Sequence, residues 1–180
     1  MLTLNYWKCS FLSYFIKQTD LTLLDVGCGG MEISHYFVDK GMLVQGIDKR
    51  PQENYKEGFT FLQSDLNKQW PDILDNSFDV VISTQFLEHI ENPVLQIQQM
   101  FRVTKRLLLL SFPVGRSFFD PTHIHFWHDF KHVDDLLVEA LKENYHNQKY
   151  EICKGPTKVE DVKNGQRNWL VAIEKKVSDE

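Results

Sequence analysis

Asp25-Val26-Gly27-Cys28-Gly29-Gly30 follows directly on the apolar run Leu21 to Leu24, and Ile33, Tyr36 and Phe37 come after it at helical spacing. An apolar run that breaks at glycines and resumes with helical period is a strand, a tight loop and a helix in succession. Glycines let such a loop bring its backbone N–H groups close to a ligand, and the expectation is that they face an anionic group.

Outward from this unit the pattern repeats. Strand-like apolar runs recur at Met42 to Ile47, Phe59 to Leu62, Phe78 to Ser83 and Leu107 to Phe112, with helical patterns between most of them. One helix is well marked: Asn92 is placed to cap it, Pro93 opens it, and Val94, Ile97, Met100 and Phe101 share a face. Another runs from about Phe130 through Val133, Leu136, Leu137, Ala140 and Leu141. Trp7, Phe11, Tyr14 and Phe15 predict a short amphipathic helix within Tyr6 to Lys17. Alternating strands and helices with near-continuous apolar strands imply an α/β fold, a mostly parallel sheet with helices on both faces. After the last helix the alternation stops. Tyr150 to Cys153 and Trp169 to Ile173 then read as an antiparallel pair, with Asn164-Gly165 supplying a turn signal between them.

With 180 residues the simplest organisation is one domain, 1–180, made of an N-terminal helix (1–20), a core (21–175) and a short tail (176–180). Hydrophobic content of 42% and charged content of 25% are those of an ordinary soluble protein. The net charge of −5 and the scattered Lys and Arg give no general attraction for phosphate backbones, so no nucleic-acid partner is expected. Cys9, Cys28 and Cys153 are odd in number and far apart, which fits a reducing compartment. The apolar stretch Phe11 to Ile16 falls far short of the roughly 20 residues of a membrane span. The expected location is cytoplasmic, with no membrane partner.

Three acids stand where a doubly wound fold places ligand contacts. Asp48 ends Val44-Gln45-Gly46-Ile47-Asp48, 19 positions after Gly29, the reach at which a carboxylate grips ribose hydroxyls. Alone it reads also as a solvated strand-end acid; the glycine loop favours the ligand. Asp65, in Leu62-Gln63-Ser64-Asp65-Leu66, is placed either to accept from an adenine amino group or to cap a turn. Asp25 precedes the glycines, where a carboxylate can hold the loop or meet a ligand ammonium. A dinucleotide site wants a small residue three positions after Gly29, and this chain has Glu32. A carboxylate there repels a diphosphate but tolerates an ammonium and a sulfonium, which favours S-adenosylmethionine over NAD.

With these residues in view the chain resembles the class I S-adenosylmethionine-dependent methyltransferases of the small-molecule type, the type 11 group in particular. Leu23 to Gly30 matches the family's first motif, Gly46-Ile47-Asp48 its ribose-binding acid, and Ser64-Asp65-Leu66 its adenine-contacting acid. Ser77 to Ser83 followed by Leu87-Glu88-His89-Ile90 resembles its fourth strand and the loop facing cofactor and substrate. The resemblance implies a Rossmann-like, doubly wound sheet of seven strands whose last strand is antiparallel and inserted between two others. It implies S-adenosylmethionine as cofactor, contacted by Asp25, Gly27, Cys28, Gly29, Gly30, Asp48, Lys49, Asp65, Leu66, Thr84 and Gln85. Two departures are evident. Met31 stands where the family places a third alternate glycine, so a shifted loop is expected. The glycine turn usual before the fifth strand is missing, Val103-Thr104-Lys105-Arg106 running straight into Leu107.

Methyl transfer from a sulfonium is an in-line displacement, and a base is needed only when the acceptor is protonated at neutral pH. His89, after the fourth strand, and His123 and His125, in the long connection Pro113 to His128, are the candidates. His89 reads also as a histidine that orders its loop. The aromatics Phe118, Phe119, Phe126 and Trp127 of that connection are expected to wall a substrate pocket. His123-x-His125-x-x-His128 has no cysteine or carboxylate set to complete it, and no metal is expected. Tyr6, Trp7 and Phe11 read either as a lid over the sulfonium or as a helix capping the core. Ser83-Thr84-Gln85-Phe86 replaces the Asn- or Asp-Pro-Pro-aromatic run that marks methylation of base amines. The expected activity is methyl transfer to a small molecule by a monomer or homodimer, the alternative being a non-catalytic cofactor-binding scaffold.

Overall fold

The computed structural model describes residues 4–53, 55–115, 121–142, 144, 149–154 and 166–175. Helix α1 (Leu4–Phe15) precedes β1 (Thr22–Val26), α2 (Glu32–Val38), β2 (Leu43–Asp48), β3 (Phe59–Gln63) and β4 (Phe78–Thr84). A single 3-10 turn, Leu87–His89, leads to α3 (Pro93–Val103), β5 (Thr104–Gly115), α4 (Phe130–Leu141), β6 (Lys149–Lys154) and β7 (Gln166–Glu174). The seven strands lie in the order β3-β2-β1-β4-β5-β7-β6. The first five are parallel, and β7 runs antiparallel to both β5 and β6 between them. This is the doubly wound, Rossmann-like sheet the sequence implies.

Burial on both faces explains why the strands read as continuous apolar runs. Along β5, Leu108 and Leu110 join the core beneath α3 and α4, while Leu107 and Leu109 join the core beneath α1 and α2. Val80, Val81 and Ile82 of β4 alternate in the same way. Helix α3 begins as its sequence demands: Asn92 Oδ1 accepts from the N–H of Leu95 at 2.9 Å and Pro93 opens the helix. It also explains the missing glycine turn. Thr104 leaves the helix directly in extended conformation, and its hydroxyl donates to the Met100 carbonyl at 2.6 Å, so no left-handed residue is needed before β5.

Two expectations are corrected here. The connection after the fifth strand does not begin at Pro113, because β5 continues to Gly115 by pairing with β7, Pro113 opposite Asn168. The β4 ladder ends at Ser111, so Pro113 sits where one side of the strand is open and its missing N–H is tolerated. Trp127 does not wall a pocket. It is buried against Phe112 at 5.2 Å between rings, and its carbonyl accepts from the N–H of Gly115 at 2.8 Å, which ties the returning loop to β5. Phe118 and Phe119, and the side chains of Tyr6, Trp7 and Phe11, lie outside the described residues.

The position of the missing third glycine is strained. Met31 has φ 61° and ψ 12°, left-handed, and caps α2 with no side-chain hydrogen bond. A glycine there relieves about 1–2 kcal/mol of backbone cost. Met31 is also 5% exposed and packed in the core with Cys9, Leu12 and Phe37, and deleting a buried methionine side chain costs about 2–5 kcal/mol. The packing loss is the larger, so Met31→Gly is expected to lower stability in urea unfolding; a stabilised variant would show that strain dominates.

Candidate active site

The carboxyl ends of β1, β2, β3 and β4 open on one cavity of about 330 Å³. Gly27, Asp48, Lys49, Arg50, Asp65 and Leu66 line it together with Gln85, Phe86, His89, Ile90 and Thr122. Parallel strands point their carboxyl ends the same way, so the loops following each strand converge there.

The glycine loop does not present its N–H groups as an anion cradle. Gly27 and Cys28 donate to the Ile47 carbonyl at 2.8 and 3.1 Å, Gly29 donates to Asp48 Oδ2 at 3.0 Å, and Met31 donates to the Cys28 carbonyl at 2.9 Å. The loop instead braces Asp48 and clears space. Gly27 has φ 74°, and a Cβ on it would lie 2.4 Å from the Phe86 ring. Such a floor disfavours a diphosphate and leaves room for a less anionic nucleoside.

Asp48 is nearly buried and well held. Its carboxylate also accepts from the Arg50 N–H at 2.9 Å and from Arg50 Nε at 3.2 Å. Burial alone would raise its pKa, but the bonds from Arg50 and Gly29 outweigh burial and keep the carboxyl below its ordinary value. Asp65 Oδ1 accepts from the Asn67 N–H at 3.2 Å, the turn-capping role, while the residue still lines the cavity. Gln85 has φ 53°, and its N–H donates to Ser111 Oγ at 3.0 Å, fixing the turn after β4. Lys49 and Leu66 line the cavity; Cys28, Gly30 and Thr84 do not. The Cys28 side chain packs inward, and burial pushes its thiol pKa up.

Asp25 lies beneath the loop, 2% exposed, and accepts from Ser34 Oγ at 2.6 Å, which fastens α2 to β1. Burial raises its pKa to about 6, against the opposing Ser34 bond. In the unfolded chain it ionises near its ordinary 3.8, so between that value and about 6 the folded state carries the extra proton and stability falls as pH rises. Ionisation therefore costs up to about 3 kcal/mol at pH 7. Asp25→Asn, which keeps a partner for Ser34, is expected to raise the melting temperature at pH 7.5 and to leave it nearly unchanged at pH 4; equal shifts at both would remove the protonation account.

The sequence reading missed Arg50, Phe86 and Lys8. Arg50 and Phe86 adjoin recognised motifs but act through side chains no motif specifies. Lys8 is buried on α1; burial lowers its pKa, and attraction to Glu88 and then Asp25 partly offsets this. Among the histidines, His89 lines the cavity and its Nδ1 lies 3.0 Å from the Thr122 carbonyl. The His123 ring stands edge-on to it at 4.7 Å. His125 is turned away, its Nε2 2.9 Å from the Ile90 carbonyl. The N–H groups of Ile124 and His125 both donate to the Glu88 carbonyl, at 2.8 and 3.2 Å, so the returning loop is stapled to the 3-10 turn.

A model of the methyltransferase domain family matches residues 24–109, the span that builds every cavity-lining residue except Thr122. The match spans just under half of the chain and, with the fold, supports a class I S-adenosylmethionine-dependent methyltransferase. S-adenosylmethionine is the cofactor this resemblance implies. This chain is 31% identical over 124 residues to a ubiquinone biosynthesis O-methyltransferase of Pseudomonas fluorescens, an alignment covering 64% of the chain and 50% of that protein. It thus spans about half the length of the curated relatives it matches. In fold it is similar to a SAM-dependent methyltransferase from Archaeoglobus fulgidus, at TM-score 0.67 and 19% identity, covering 92% of this chain and 90% of that one. It is also similar to phosphoethanolamine N-methyltransferase 2 of Haemonchus contortus, solved with S-adenosylhomocysteine, at TM-score 0.71 and 12% identity, covering 97% and 53%. The residues fit the cofactor. A braced carboxylate at the end of β2, apolar Leu66 and Ile90 in the same lining, and a floor cleared by Gly27 suit a ribose, an adenine and a sulfonium. No described helix is long and apolar enough to cross a membrane.

Proposed function

We propose that this chain is one domain that transfers a methyl group from S-adenosylmethionine to a hydroxyl of a small-molecule acceptor. The observation that carries the reading is that Asp48 and His89 line one cavity. The O-methyltransferase names of the curated relatives support a hydroxyl acceptor. When bound, the cofactor supplies a methyl carbon made electrophilic by a positive sulfur. The protein's share is then to hold, orient and exclude water.

Asp48 accepts hydrogen bonds from the ribose hydroxyls, with Lys49 beside it, while Asp65 and Leu66 flank the adenine. Gly27, Cys28, Gly29 and Gly30 form the loop beneath, Asp25 anchors that loop through Ser34, and Thr84 and Gln85 shape the turn after β4. At the acceptor end a carbonyl can only accept, so His89 Nδ1 carries the proton it donates to Thr122, and Nε2 keeps a lone pair for the acceptor hydroxyl. His123 packs against that ring, and His125 positions the loop through Ile90. The buried free thiols of Cys9 and Cys28 suit a reducing, cytoplasmic setting. The acidic balance and the absence of a base-amine motif speak for a small molecule over a nucleic acid.

The test is to incubate the protein with methyl-labelled cofactor and a panel of phenols, catechols, sugars and amines. Labelled ether product and S-adenosylhomocysteine are the expected result. Label on amines alone would move the acceptor class, and cofactor binding without turnover across the panel would favour the scaffold.

A further inference from the structure

Glu88, His89 and His123 each offer one ligand atom, and these atoms all lie within 4.8 Å of one another. The carboxylate that His123-x-His125-x-x-His128 lacks in sequence comes from the turn after β4, brought beside His123 by the bonds from Ile124 and His125 to the Glu88 carbonyl. Glu88 is fully buried, and His89 and His123 are half-buried. A cation at about 2.0–2.2 Å from each ligand needs them about 3–4 Å apart, so binding draws the three side chains together.

A second observation points the same way. His89 donates through Nδ1 to a backbone carbonyl, the arrangement that fixes the tautomer of a metal-ligating histidine and aims Nε2 outward. The cluster also sits at a useful place, because His89 and Thr122 line the same cavity as Asp48.

We propose that Glu88, His89 and His123 bind a divalent transition-metal cation at the acceptor end of the cavity, and that this cation binds an acceptor carrying a hydroxyl beside a second oxygen. The proposal rests on the methyl-transfer reading and names its substrate class. Two imidazoles and one carboxylate favour Mn²⁺, Co²⁺ or Zn²⁺ over Ca²⁺ or Mg²⁺, and three protein ligands leave positions open for acceptor oxygens. Two adjacent oxygens, as in a catechol or a vicinal diol, fill neighbouring positions at once. The cation lowers the pKa of the hydroxyl it holds, and the proton leaves to solvent through the open cavity. The resulting oxygen forms its bond to the methyl carbon as the carbon–sulfur bond breaks, and sulfur keeps the electron pair as a neutral thioether. His89 then serves as a ligand to the cation, not as the base.

The test is titration of chelator-treated protein with CoCl₂, followed by calorimetry and the visible Co²⁺ spectrum, with S-adenosylhomocysteine titrated into the same samples. One Co²⁺ per chain is expected, weakened roughly tenfold or more in His123→Ala and in His89→Ala, since even outer contacts to metal ligands are worth about 10–100-fold. His123→Ala guards against misfolding of the buried Glu88→Gln variant, and unchanged S-adenosylhomocysteine affinity shows that the fold is kept. Co²⁺ that fails to bind while S-adenosylhomocysteine binds overturns the metal and leaves methyl transfer standing. Failure of S-adenosylhomocysteine itself overturns the reading beneath it. Metal binding that survives unchanged in both histidine variants also overturns the proposal. In turnover, catechol methylation is expected to stop with chelator and return with Mn²⁺, whereas a monohydric phenol is expected to be the poorer acceptor; equal rates with and without chelator contradict the cation's role.

Discussion

Gly27→Val is expected to leave a folded chain that holds no S-adenosylhomocysteine. The glycine has φ 74°, a conformation that costs a residue with a Cβ about 1–2 kcal/mol and a β-branched one more. The larger effect is steric. A Cβ at this position would lie 2.4, 2.6 and 2.8 Å from three atoms of Phe86, so the ring must leave its place. Gly27 and Phe86 both line the cavity, and the free direction for the ring is into that space. The variant therefore loses the cofactor's room rather than one of its bonds. Thermal melting checks that the fold survives, and calorimetry reads the binding. Retained affinity would show that the cofactor does not lie over this loop.

Asp48→Ala is expected to weaken S-adenosylhomocysteine binding about a hundredfold or more, since two hydrogen bonds from ribose hydroxyls to a charged acceptor are worth about 1.5–3 kcal/mol each. The carboxylate is ready for that task without rearrangement: Gly29 and Arg50 hold it at 3.0 and 2.9 Å and keep it ionised well below neutral pH. Affinity in the parent is accordingly expected to be flat from pH 5 to pH 8. Removing the carboxylate also releases the Gly29 N–H, so a modest fall in melting temperature accompanies the loss. An affinity within a few-fold of the parent would take Asp48 out of the site.

The sheet was legible in the sequence because every central strand is buried on two faces, and the run Leu107 to Leu110 can satisfy both only as a strand between helix layers. Asn92-Pro93 and the glycine loop fixed two element boundaries through local chemistry that tertiary contacts reinforce. The reach of β5 to Gly115 was not legible. It depends on pairing with β7, more than fifty residues later, and no local pattern announces a partner at that distance. Trp127 was misjudged for the same reason, its environment being set by Phe112 and Gly115 across the returning loop. Loop composition announced a turn at Gly27 to Gly30 but not where its N–H groups go, which the Ile47 carbonyl and Asp48 decide. Motif spacing located Asp48 and Asp65 at the cavity, while Arg50 and Phe86 reach it through side-chain directions that spacing does not encode. The carboxylate beside His123 was hidden because it lies on another loop.

The central claim is that the cavity at the ends of β1 to β4 takes S-adenosylmethionine and not a dinucleotide. Calorimetric titration of the purified chain with S-adenosylhomocysteine, with NAD titrated in parallel, tests it most directly. One S-adenosylhomocysteine per chain and no detectable NAD binding is the predicted result; NAD binding as tight as S-adenosylhomocysteine, or no binding of S-adenosylhomocysteine, would contradict it.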